Sequence, residues 1–366
     1  MASYGRHFVS DDDITAVTKV MREGLLTQGS EVAAFEKALA SAVEARYAVS
    51  CSSGTAALHL AGMAMNLGNG DAVIIPANTF VASANAVRLT GAEVIFCDID
   101  AATGLMALKD LLGILDSERS DRIKAIMPVY FAGQCYNPSE VDRIASDYGL
   151  RILEDACHAL GSKYITDDQQ IPIGSCQHST MCTFSFHPVK TIAMGEGGAI
   201  TTNSEHLYER LKMLRNHGLV RDPEQWSEEP TRIAVADRNP SWYYEMNEIS
   251  PNYRASDIHC ALGRSQLSKL QKFVSKRRAL ASYYDDCIAD LGPHVTPLQK
   301  TSNCEPAWHL YVLLIDFEFY TIKRQDLMMQ LKSLGIGSQV HYIPVPWQPY
   351  YKNRYSIRTL PGTESF

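Results

Sequence analysis

Residues 185–198 read Ser-Phe-His-Pro-Val-Lys-Thr-Ile-Ala-Met-Gly-Glu-Gly-Gly, and this segment is the most informative part of the chain. One lysine, Lys190, follows an apolar run and precedes three glycines within four positions. Glycines let the backbone approach a bound group closely, so a lysine in this setting differs from an ordinary surface lysine. Upstream, Leu-Glu-Asp-Ala-Cys-His-Ala-Leu-Gly (153–161) places Asp155 at the end of an apolar run that is predicted to be a strand.

A lysine in a tight loop and an aspartate at a strand end are the pair that a pyridoxal phosphate enzyme requires. The lysine amine forms a Schiff base with the cofactor, and the aspartate keeps a proton on the pyridine nitrogen so that the ring accepts electrons. Each residue has another interpretation on its own, since lone lysines are usually at the surface and lone aspartates often cap helices. The pair predicts pyridoxal 5'-phosphate as the cofactor, with Lys190 and Asp155 as the catalytic residues.

The segments around this pair alternate between short apolar strands and helices. Strands are predicted at 47–51, 72–76, 93–98, 123–129 and 151–154, at 184–186 and 199–202 beside the lysine, and at 309–317 and 338–342. Helices are predicted at 11–23, 31–43, 55–65, 80–90 and 205–216, over a long stretch from 255 to 290, and at 324–334. Short buried strands separated by helices favour a parallel sheet covered on both faces, so the predicted fold class is α/β with a mostly parallel sheet.

The length of 366 residues suits a large domain and a smaller one. We expect N-terminal helices and a large cofactor-binding domain over 1–250, then a bridging helix and a smaller C-terminal α+β domain over 251–366. Residues 221–250 are polar and lose periodicity, and we interpret them as a functional excursion because long ordered loops tend to carry function. The chain ends soon after an element begins, so we also expect the smaller domain to be truncated.

Composition narrows the function classes. A net charge of −7 argues against a nucleic-acid or anionic-membrane partner. Nine cysteines lie mostly within apolar runs without CxxC spacing, which indicates small buried thiols in a reducing compartment. No apolar run approaches the ~20 residues of a membrane span, and the N-terminus lacks a signal core, so a cytoplasmic protein is expected. The eleven histidines show no HExxH motif or zinc-binding spacing, so no metal site is expected.

A second candidate site feature is the turn Cys-Ser-Ser-Gly-Thr-Ala-Ala (51–57), where a predicted strand gives way to a helix. The N–H groups and partial positive charge of a helix N-terminus suit a phosphate. Gly54 and Thr55 are therefore candidate phosphate-binding residues, and Ser185, five residues before Lys190, is a further donor. A plain helix cap is the alternative interpretation of this turn.

Two further residues are candidates for contact with the cofactor ring. His158 follows Asp155 by three positions and is able to reach the cofactor edge, although a core or capping histidine is an equal alternative. Phe80 follows a predicted strand and is able to stack on a flat ring, although the sequence alone favours simple core packing for it.

Ordered motifs run along essentially the whole chain. They are Leu-Thr-Gln-Gly (26–29), Ser-Ser-Gly-Thr-Ala-Ala-Leu-His-Leu (52–60), Pro-Ala-Asn-Thr-Phe-Val-Ala-Ser-Ala-Asn (76–85), Pro-Val-Tyr-Phe-Ala-Gly (128–133), Glu-Asp-Ala-Cys-His-Ala-Leu-Gly (154–161), the Lys190 segment, Arg-Asn-His-Gly (215–218), Asn-Tyr-Arg-Ala-Ser-Asp-Ile-His-Cys-Ala-Leu-Gly (252–263) and Gln-Val-His-Tyr-Ile-Pro (339–344). Together they resemble the sugar aminotransferases of the DegT/DnrJ/EryC1/StrS family. These are fold-type I, aspartate aminotransferase-like pyridoxal phosphate enzymes, which implies a mostly parallel seven-stranded sheet in the large domain.

The resemblance implies a role for each candidate residue. Lys190 would be the Schiff-base lysine and Asp155 the partner of the pyridine nitrogen. His158 would lie beside the phenolic edge and Phe80 would stack on the ring. The residues implied to hold the phosphate are Gly54, Thr55, Ser185 and, from the partner subunit, Asn252.

The implied contribution of Asn252 makes the active site a property of a homodimer. Relatives often have Gly-Tyr-Asn at this place, whereas this chain has Ser-Pro-Asn (250–252). Pro251 fixes its own φ and lacks an N–H, so the backbone before Asn252 differs from that pattern.

The resemblance also implies a substrate class. Ser-Phe-His-Pro-Val-Lys with Glu-Gly-Gly and Gln-Val-His-Tyr is similar to the subgroup that aminates C4 of a UDP-4-keto-6-deoxy-N-acetyl-hexosamine on the way to pseudaminic acid. Ser-Phe-His and Ala-Trp-His-Leu (307–310) are shared with the subgroup that acts on UDP-4-keto-arabinose for lipid A modification. L-glutamate is the implied amino donor.

The reaction type has alternatives outside transamination. Some relatives with histidine in place of the lysine are dehydratases, so the presence of Lys190 favours transamination. A non-catalytic, cofactor-binding regulatory protein is the alternative from another class. Loss of Lys190 or Asp155 would favour that alternative, and both residues are present.

Overall fold

The computed structural model describes residues 5–117, 121–166, 169–226 and 241–366. The strands are β1 (Tyr47–Cys51), β2 (Ala72–Pro76), β3 (Glu93–Cys97), β4 (Ile123–Ile126), β5 (Arg151–Asp155), β6 (Lys163–Ile165), β7 (Gln170–Pro172), β8 (Met181–Ser185), β9 (Gly198–Thr202), β10 (Leu219–Val220), β11 (Glu245–Met246), β12 (Val295–Pro297), β13 (Cys304–Glu305) and β14 (Leu313–Ile315). The helices are α1 (Asp11–Glu23), α2 (Ser30–Ala42), α3 (Gly54–Ala64), α4 (Val81–Leu89), α5 (Leu108–Ser117), α6 (Pro138–Asp147), α7 (Glu205–Leu214), α8 (Asp257–Leu267), α9 (Leu270–Ala289), α10 (Arg324–Ser333), α11 (Pro349–Arg354) and α12 (Pro361–Ser365). The elements predicted in the first 216 residues are present to within three residues at each end, whereas β6 and β7 were not predicted.

A seven-stranded sheet, in the order β1-β9-β8-β5-β4-β2-β3, forms the centre of the molecule. The pairings among β8, β5, β4, β2 and β3 are parallel. Strand β9 pairs antiparallel with both β1 and β8. The segment between β8 and β9 contains no helix that would carry the chain across a sheet face, so β9 returns antiparallel. The expected α/β fold with a mostly parallel seven-stranded sheet is confirmed.

Apolar side chains cover both faces of this sheet. Strand β2 illustrates the arrangement, because Ile74 belongs to one buried cluster while Val73 and Ile75 belong to another. Successive side chains of a strand point to opposite faces, so a strand buried on both faces is apolar throughout. All three side chains are fully buried, and burial of each stabilises the fold by about 1.5–3 kcal/mol.

Helix α1 is attached to the body of the molecule through a buried carboxylate. Asp13 is fully buried and accepts hydrogen bonds from Lys269 Nζ at 2.5 Å and Gln266 Nε2 at 2.7 Å. The backbone N–H of Ser10, the N-cap residue of α1, also donates to Asp13 at 2.9 Å. Burial alone would raise the pKa of Asp13, but these hydrogen bonds and one involving Ser265 lower it to about 2.

The C-terminal third departs from its predicted elements in three places. The long helical stretch is divided into α8 and α9 near Ser268, and the strand predicted at 309–317 is limited to β14. The prediction of a strand at 338–342 is wrong, because these residues form no strand. The backbone N–H of Tyr342 donates to Asn78 Oδ1 at 3.1 Å instead of joining a sheet.

Parts of this C-terminal third contact the large sheet. β12 and β14 pair with each other, whereas β13 pairs with β6 in a three-stranded sheet. Val345, Tyr351 and Leu360 are buried in the same apolar cluster as Val73. The domain division at 250/251 and the truncated smaller domain stay predictions.

The predicted excursion at 221–250 lies partly outside the described residues, since 227–240 are not among them. Its described part returns to the body of the protein where β11 pairs antiparallel with β10. The rings of Trp226 and Trp242 both pack against Tyr243, with centroid separations of 4.6 and 6.2 Å.

All nine cysteines are free thiols, and seven of them are buried. Cys157 is half-buried and Cys287 is exposed. Within the described ranges, no helix has both the length and the apolar character that crossing a lipid bilayer would need.

Candidate active site

The sheet brings the segments of Lys190 and Asp155 together. Asp155 is the last residue of β5, which pairs directly with β8, and Lys190 follows β8. Ligands of α/β sheets bind at the carboxyl ends of the parallel strands, which is where both residues lie. Burial lowers the pKa of Lys190 below its usual value, although the neighbouring Cys157 and Asp155 oppose this effect. The Lys190 amine therefore loses its proton more easily than a surface lysine does.

Hydrogen bonds fix the orientation of the Asp155 carboxylate, which is only 5% exposed. The Ser83 hydroxyl donates to Asp155 Oδ2 at 2.7 Å, and the Cys157 N–H donates to Oδ1 at 3.2 Å. The Thr79 and Ser83 hydroxyls are themselves 2.7 Å apart. Sequence reasoning missed Ser83 and Thr79, although their spacing of four residues across the start of α4 is a detectable signal.

The N-terminus of α3 lies beside the end of β8. Ser53 caps this helix by accepting a hydrogen bond from Ala56 N at 3.1 Å. Within the described residues, neither the Gly54 nor the Thr55 amide donates a hydrogen bond. A Cβ placed on Gly54 would lie 2.7 Å from Ser185 Cβ and 3.0 Å from its Oγ, so only glycine allows this approach. The structure thus brings Gly54, Thr55 and Ser185 to one helix N-terminus with free N–H groups, an arrangement suited to an anion.

Three histidines lie near enough to the lysine to be influenced by its charge. His158 and His309 are 7% and 9% exposed, and their ring centroids are 4.3 Å apart. Burial and the positive charge of Lys190 hold the pKa of both well below the usual value, and the same causes lower the pKa of His341 to about 4. All three imidazoles are therefore neutral at pH 7. The sequence predicted His158 but not His309 or His341, although both lie in quoted motifs.

An aromatic wall borders the histidines. The Tyr342 hydroxyl lies 3.2 Å from His158 Nε2, and the Tyr342 ring centroid is 5.8 Å from that of Phe80. Phe80 is 55% exposed, so the alternative that it packs in the core is wrong. Its face is available to another flat ring.

Asn252 makes its hydrogen bonds with Arg254 and Asn216 and not with the other candidate residues among the described ranges. It is exposed, its side-chain oxygen accepts a hydrogen bond from Arg254 N at 3.3 Å, and its backbone bridges to Asn216. Its contribution to a partner subunit's site stays a prediction.

The polar groups of this cluster match those of pyridoxal phosphate. The cluster offers free N–H groups for a phosphate, a fixed carboxylate for the pyridine nitrogen and a lysine with a lowered pKa for the aldehyde. In addition, His158 Nδ1 is buried without a hydrogen-bond partner among the described residues. A buried polar atom without a partner costs free energy unless a bound group satisfies it. These residues fit the cofactor. The described ranges contain no group of three or more His, Cys, Asp or Glu side chains able to hold a metal ion.

Comparisons with known proteins agree with this chemistry. Residues 8–366 match the model of the DegT/DnrJ/EryC1/StrS aminotransferase family. The spore coat polysaccharide biosynthesis protein SpsC of Bacillus subtilis is 35% identical over 359 residues, which cover 97% of this chain and 86% of that protein. The structure of Helicobacter pylori PseC, an aminotransferase involved in pseudaminic acid biosynthesis, superposes with a TM-score of 0.85 at 29% identity, covering 99% of this chain and 90% of that chain.

A putative sugar aminotransferase of Streptococcus pneumoniae has been solved with pyridoxal phosphate. It matches with a TM-score of 0.82 at 27% identity, and the match covers 96% of this chain and 88% of that one. The cofactor of this family is pyridoxal phosphate, as the lysine and aspartate segments predict. The chain belongs to the DegT/DnrJ/EryC1/StrS aminotransferase family, and it is a pyridoxal phosphate-dependent sugar aminotransferase.

Proposed function

We propose that this enzyme transfers an amino group from L-glutamate to C4 of a UDP-linked 4-keto-6-deoxy-N-acetyl-hexosamine, in the biosynthesis of a pseudaminic acid-type surface sugar. The observation that carries amino transfer is the Lys190 amine, with its lowered pKa, beside the fixed carboxylate of Asp155. The sugar is proposed on the similarity to PseC over 99% of the chain and on the Ser-Phe-His-Pro-Val-Lys segment.

Each residue of the cluster has a proposed task in holding the cofactor. The free amides of Gly54 and Thr55 and the Ser185 hydroxyl would bind the phosphate. Asp155 would hold a proton at the pyridine nitrogen, and Phe80 would cover one face of the ring. His158 would meet the phenolic oxygen.

Bound pyridoxal phosphate supplies a conjugated ring that accepts electrons from the bond to the donor's Cα hydrogen. Lys190 would hold the cofactor through its amine and, as a free amine, would be the base that moves the Cα proton. Burial favours the neutral amine that this step requires, since it lowers the pKa of Lys190. His158 and His309 are neutral, so they add no positive charge that would compete with Lys190 for the cofactor's phenolic oxygen.

The dimer is part of the proposal. Trp242, Tyr244, Met246 and Ile249 are 57%, 50%, 61% and 89% exposed, and they precede the exposed Asn252 in the chain. An exposed group of large apolar residues is typical of a protein interface. We therefore place a homodimer contact on this surface, through which Asn252 would reach the partner's phosphate site.

The nine free thiols support the proposal that the protein works in a reducing compartment, the cytoplasm.

UDP-4-keto-arabinose is the alternative sugar substrate. The observation that favours it is the position of His309, because the Ala-Trp-His-Leu segment shared with that subgroup lies within the site.

The test is the absorbance spectrum of the purified protein with pyridoxal phosphate, followed by L-glutamate and then by single UDP-4-keto sugars. The lysine-bound cofactor should absorb visible light, glutamate should bleach this band, and the correct keto sugar should restore it. Lys190→Ala should lack the band, whereas Lys124→Ala, at an exposed position of β4, should retain it. Restoration by the arabinose derivative alone would replace the proposed hexosamine, and a band that persists in Lys190→Ala would refute the assigned lysine.

A further inference from the structure

Tyr342 contacts His158, the histidine three residues after Asp155. Its hydroxyl oxygen lies 3.2 Å from His158 Nε2, while the other ring nitrogen, Nδ1, is buried without a partner among the described residues. We propose that Tyr342 is a positioning residue that donates to Nε2 and thereby fixes His158 in the tautomer with the proton on Nδ1. The Nδ1–H group is then a preformed donor for the cofactor's phenolic oxygen.

A tautomer requires that the imidazole be neutral. Burial is the main reason why the pKa of His158 lies well below its usual value, and the positive charge of Lys190 adds to it. His309 packs against this ring and His341 lies near it, and both are neutral for the same reasons. A neutral imidazole has one N–H donor and one nitrogen acceptor, and the hydrogen bond made by one nitrogen decides which of them carries the proton.

The direction of the hydrogen bond follows from the two groups that share it. The lone pairs of a phenol oxygen are partly delocalised into its ring, whereas the bare nitrogen of a neutral imidazole is a strong acceptor. Tyr342 therefore donates and His158 Nε2 accepts. With the cofactor bound as proposed, the opposite tautomer would set the lone pair of Nδ1 against the cofactor's phenolic oxygen, which is repulsive.

The position of Tyr342 is itself fixed by its surroundings. Its backbone N–H donates to Asn78 Oδ1 at 3.1 Å, and Asn78 is only 1% exposed. Its ring lies against those of Phe80 and Phe131, with centroids 5.8 and 6.2 Å away. The hydroxyl therefore meets His158 from a well-defined direction, and this is the geometry that a tautomer-setting contact needs.

The first test uses the protein without cofactor, so it does not depend on the proposed function. Protein labelled with ¹⁵N-histidine is studied by NMR, because the two nitrogen shifts of a neutral imidazole identify the protonated one. The signals of His158 are assigned by their loss in His158→Asn. We expect the Nδ1–H tautomer in the wild type and conversion towards Nε2–H in Tyr342→Phe. Tyr351→Phe is the matched control, because Tyr351 is also a buried tyrosine whose hydroxyl makes one side-chain hydrogen bond, to Asn85 at 2.7 Å.

The second readout is the pH midpoint of the cofactor's visible band, which rests on the proposed position of His158. If His158 changes tautomer in Tyr342→Phe, the cofactor's phenolic oxygen loses the Nδ1–H donor and holds its shared proton more tightly. The pH midpoint of the band should therefore rise by roughly one pH unit in Tyr342→Phe and stay constant in Tyr351→Phe. An Nε2–H tautomer in the wild type would overturn the inference even if Tyr342→Phe failed to fold. A visible band with an unchanged midpoint in Tyr342→Phe would overturn it too, whereas absence of the band in the wild type would count against the cofactor site.

Discussion

Alanine in place of Gly54 should weaken cofactor binding while leaving the fold intact. The added Cβ would lie 2.7 Å from Ser185 Cβ, whereas ordinary contacts begin at 3.4 Å, so Ser185 must retreat by about 0.7 Å. A displaced Ser185 would no longer hold its hydroxyl where the phosphate is proposed to bind. We therefore expect the overpacking cost of about 1–3 kcal/mol to appear in binding. Since 1.4 kcal/mol is a factor of ten, pyridoxal phosphate affinity should fall roughly 5- to 150-fold.

Titration of cofactor-free protein with pyridoxal phosphate measures this loss, and thermal unfolding of the same samples measures the fold. The gain in helix propensity at the first position of α3 is at most about 1 kcal/mol, so the melting temperature should change little. Gly113→Ala in α5 is the control, because a Cβ there meets no atom within 4 Å. If Gly54→Ala binds the cofactor within twofold of the wild type, the phosphate is not held between Gly54 and Ser185.

Two further predictions concern buried carboxylates. Ser83→Ala removes the 2.7 Å donor to Asp155, and hydrogen bonds to charged groups are worth about 1.5–3 kcal/mol. The rate of the glutamate half-reaction, measured by stopped-flow absorbance, should therefore fall at least about tenfold, and an unchanged rate would contradict the positioning role of Ser83. Asp13 has its pKa lowered from 3.8 to about 2, which corresponds to about 2 kcal/mol of folding free energy. A lowered carboxyl pKa stabilises the fold above the unfolded value, so the stability advantage of the wild type over Asp13→Asn in urea should be full at pH 7 and shrink as the pH falls from about 4 towards 2. An advantage independent of pH would refute this linkage.

The central sheet was predictable because its strands are short apolar runs separated by helix-forming segments. The same pattern accounts for the proximity of Asp155 and Lys190, since carboxyl ends of adjacent strands meet at one edge of the sheet. By contrast, the prediction of a strand at 338–342 was wrong, because Tyr342 donates its backbone N–H to Asn78 and places its hydroxyl against His158 instead of pairing with a neighbouring strand. Local periodicity does not distinguish these two uses of an extended segment.

The partners of the site residues were harder to predict than the site residues themselves. Ser83 and Tyr342 reach Asp155 and His158 from sequence separations of 72 and 184 residues. Such contacts leave no local pattern, because they depend on how distant segments pack in three dimensions. The exposure of Phe80 was likewise not predictable, since a phenylalanine after a buried strand is usually part of the core.

The pairing of β1 with β9 has a consequence for the thermodynamics of cofactor binding. Its register, from Tyr47↔Thr202 to Cys51↔Gly198, joins the strand that leads to Gly54 with the strand that follows the lysine loop. The chain between β1 and β9 is thus closed into a loop during folding, and the main-chain hydrogen bonds of this pairing offset the entropy that closure costs. The two ends of the site are already at a fixed separation before any ligand arrives. Little conformational entropy then remains to be lost on association, so most of the interaction free energy with pyridoxal phosphate is available as affinity.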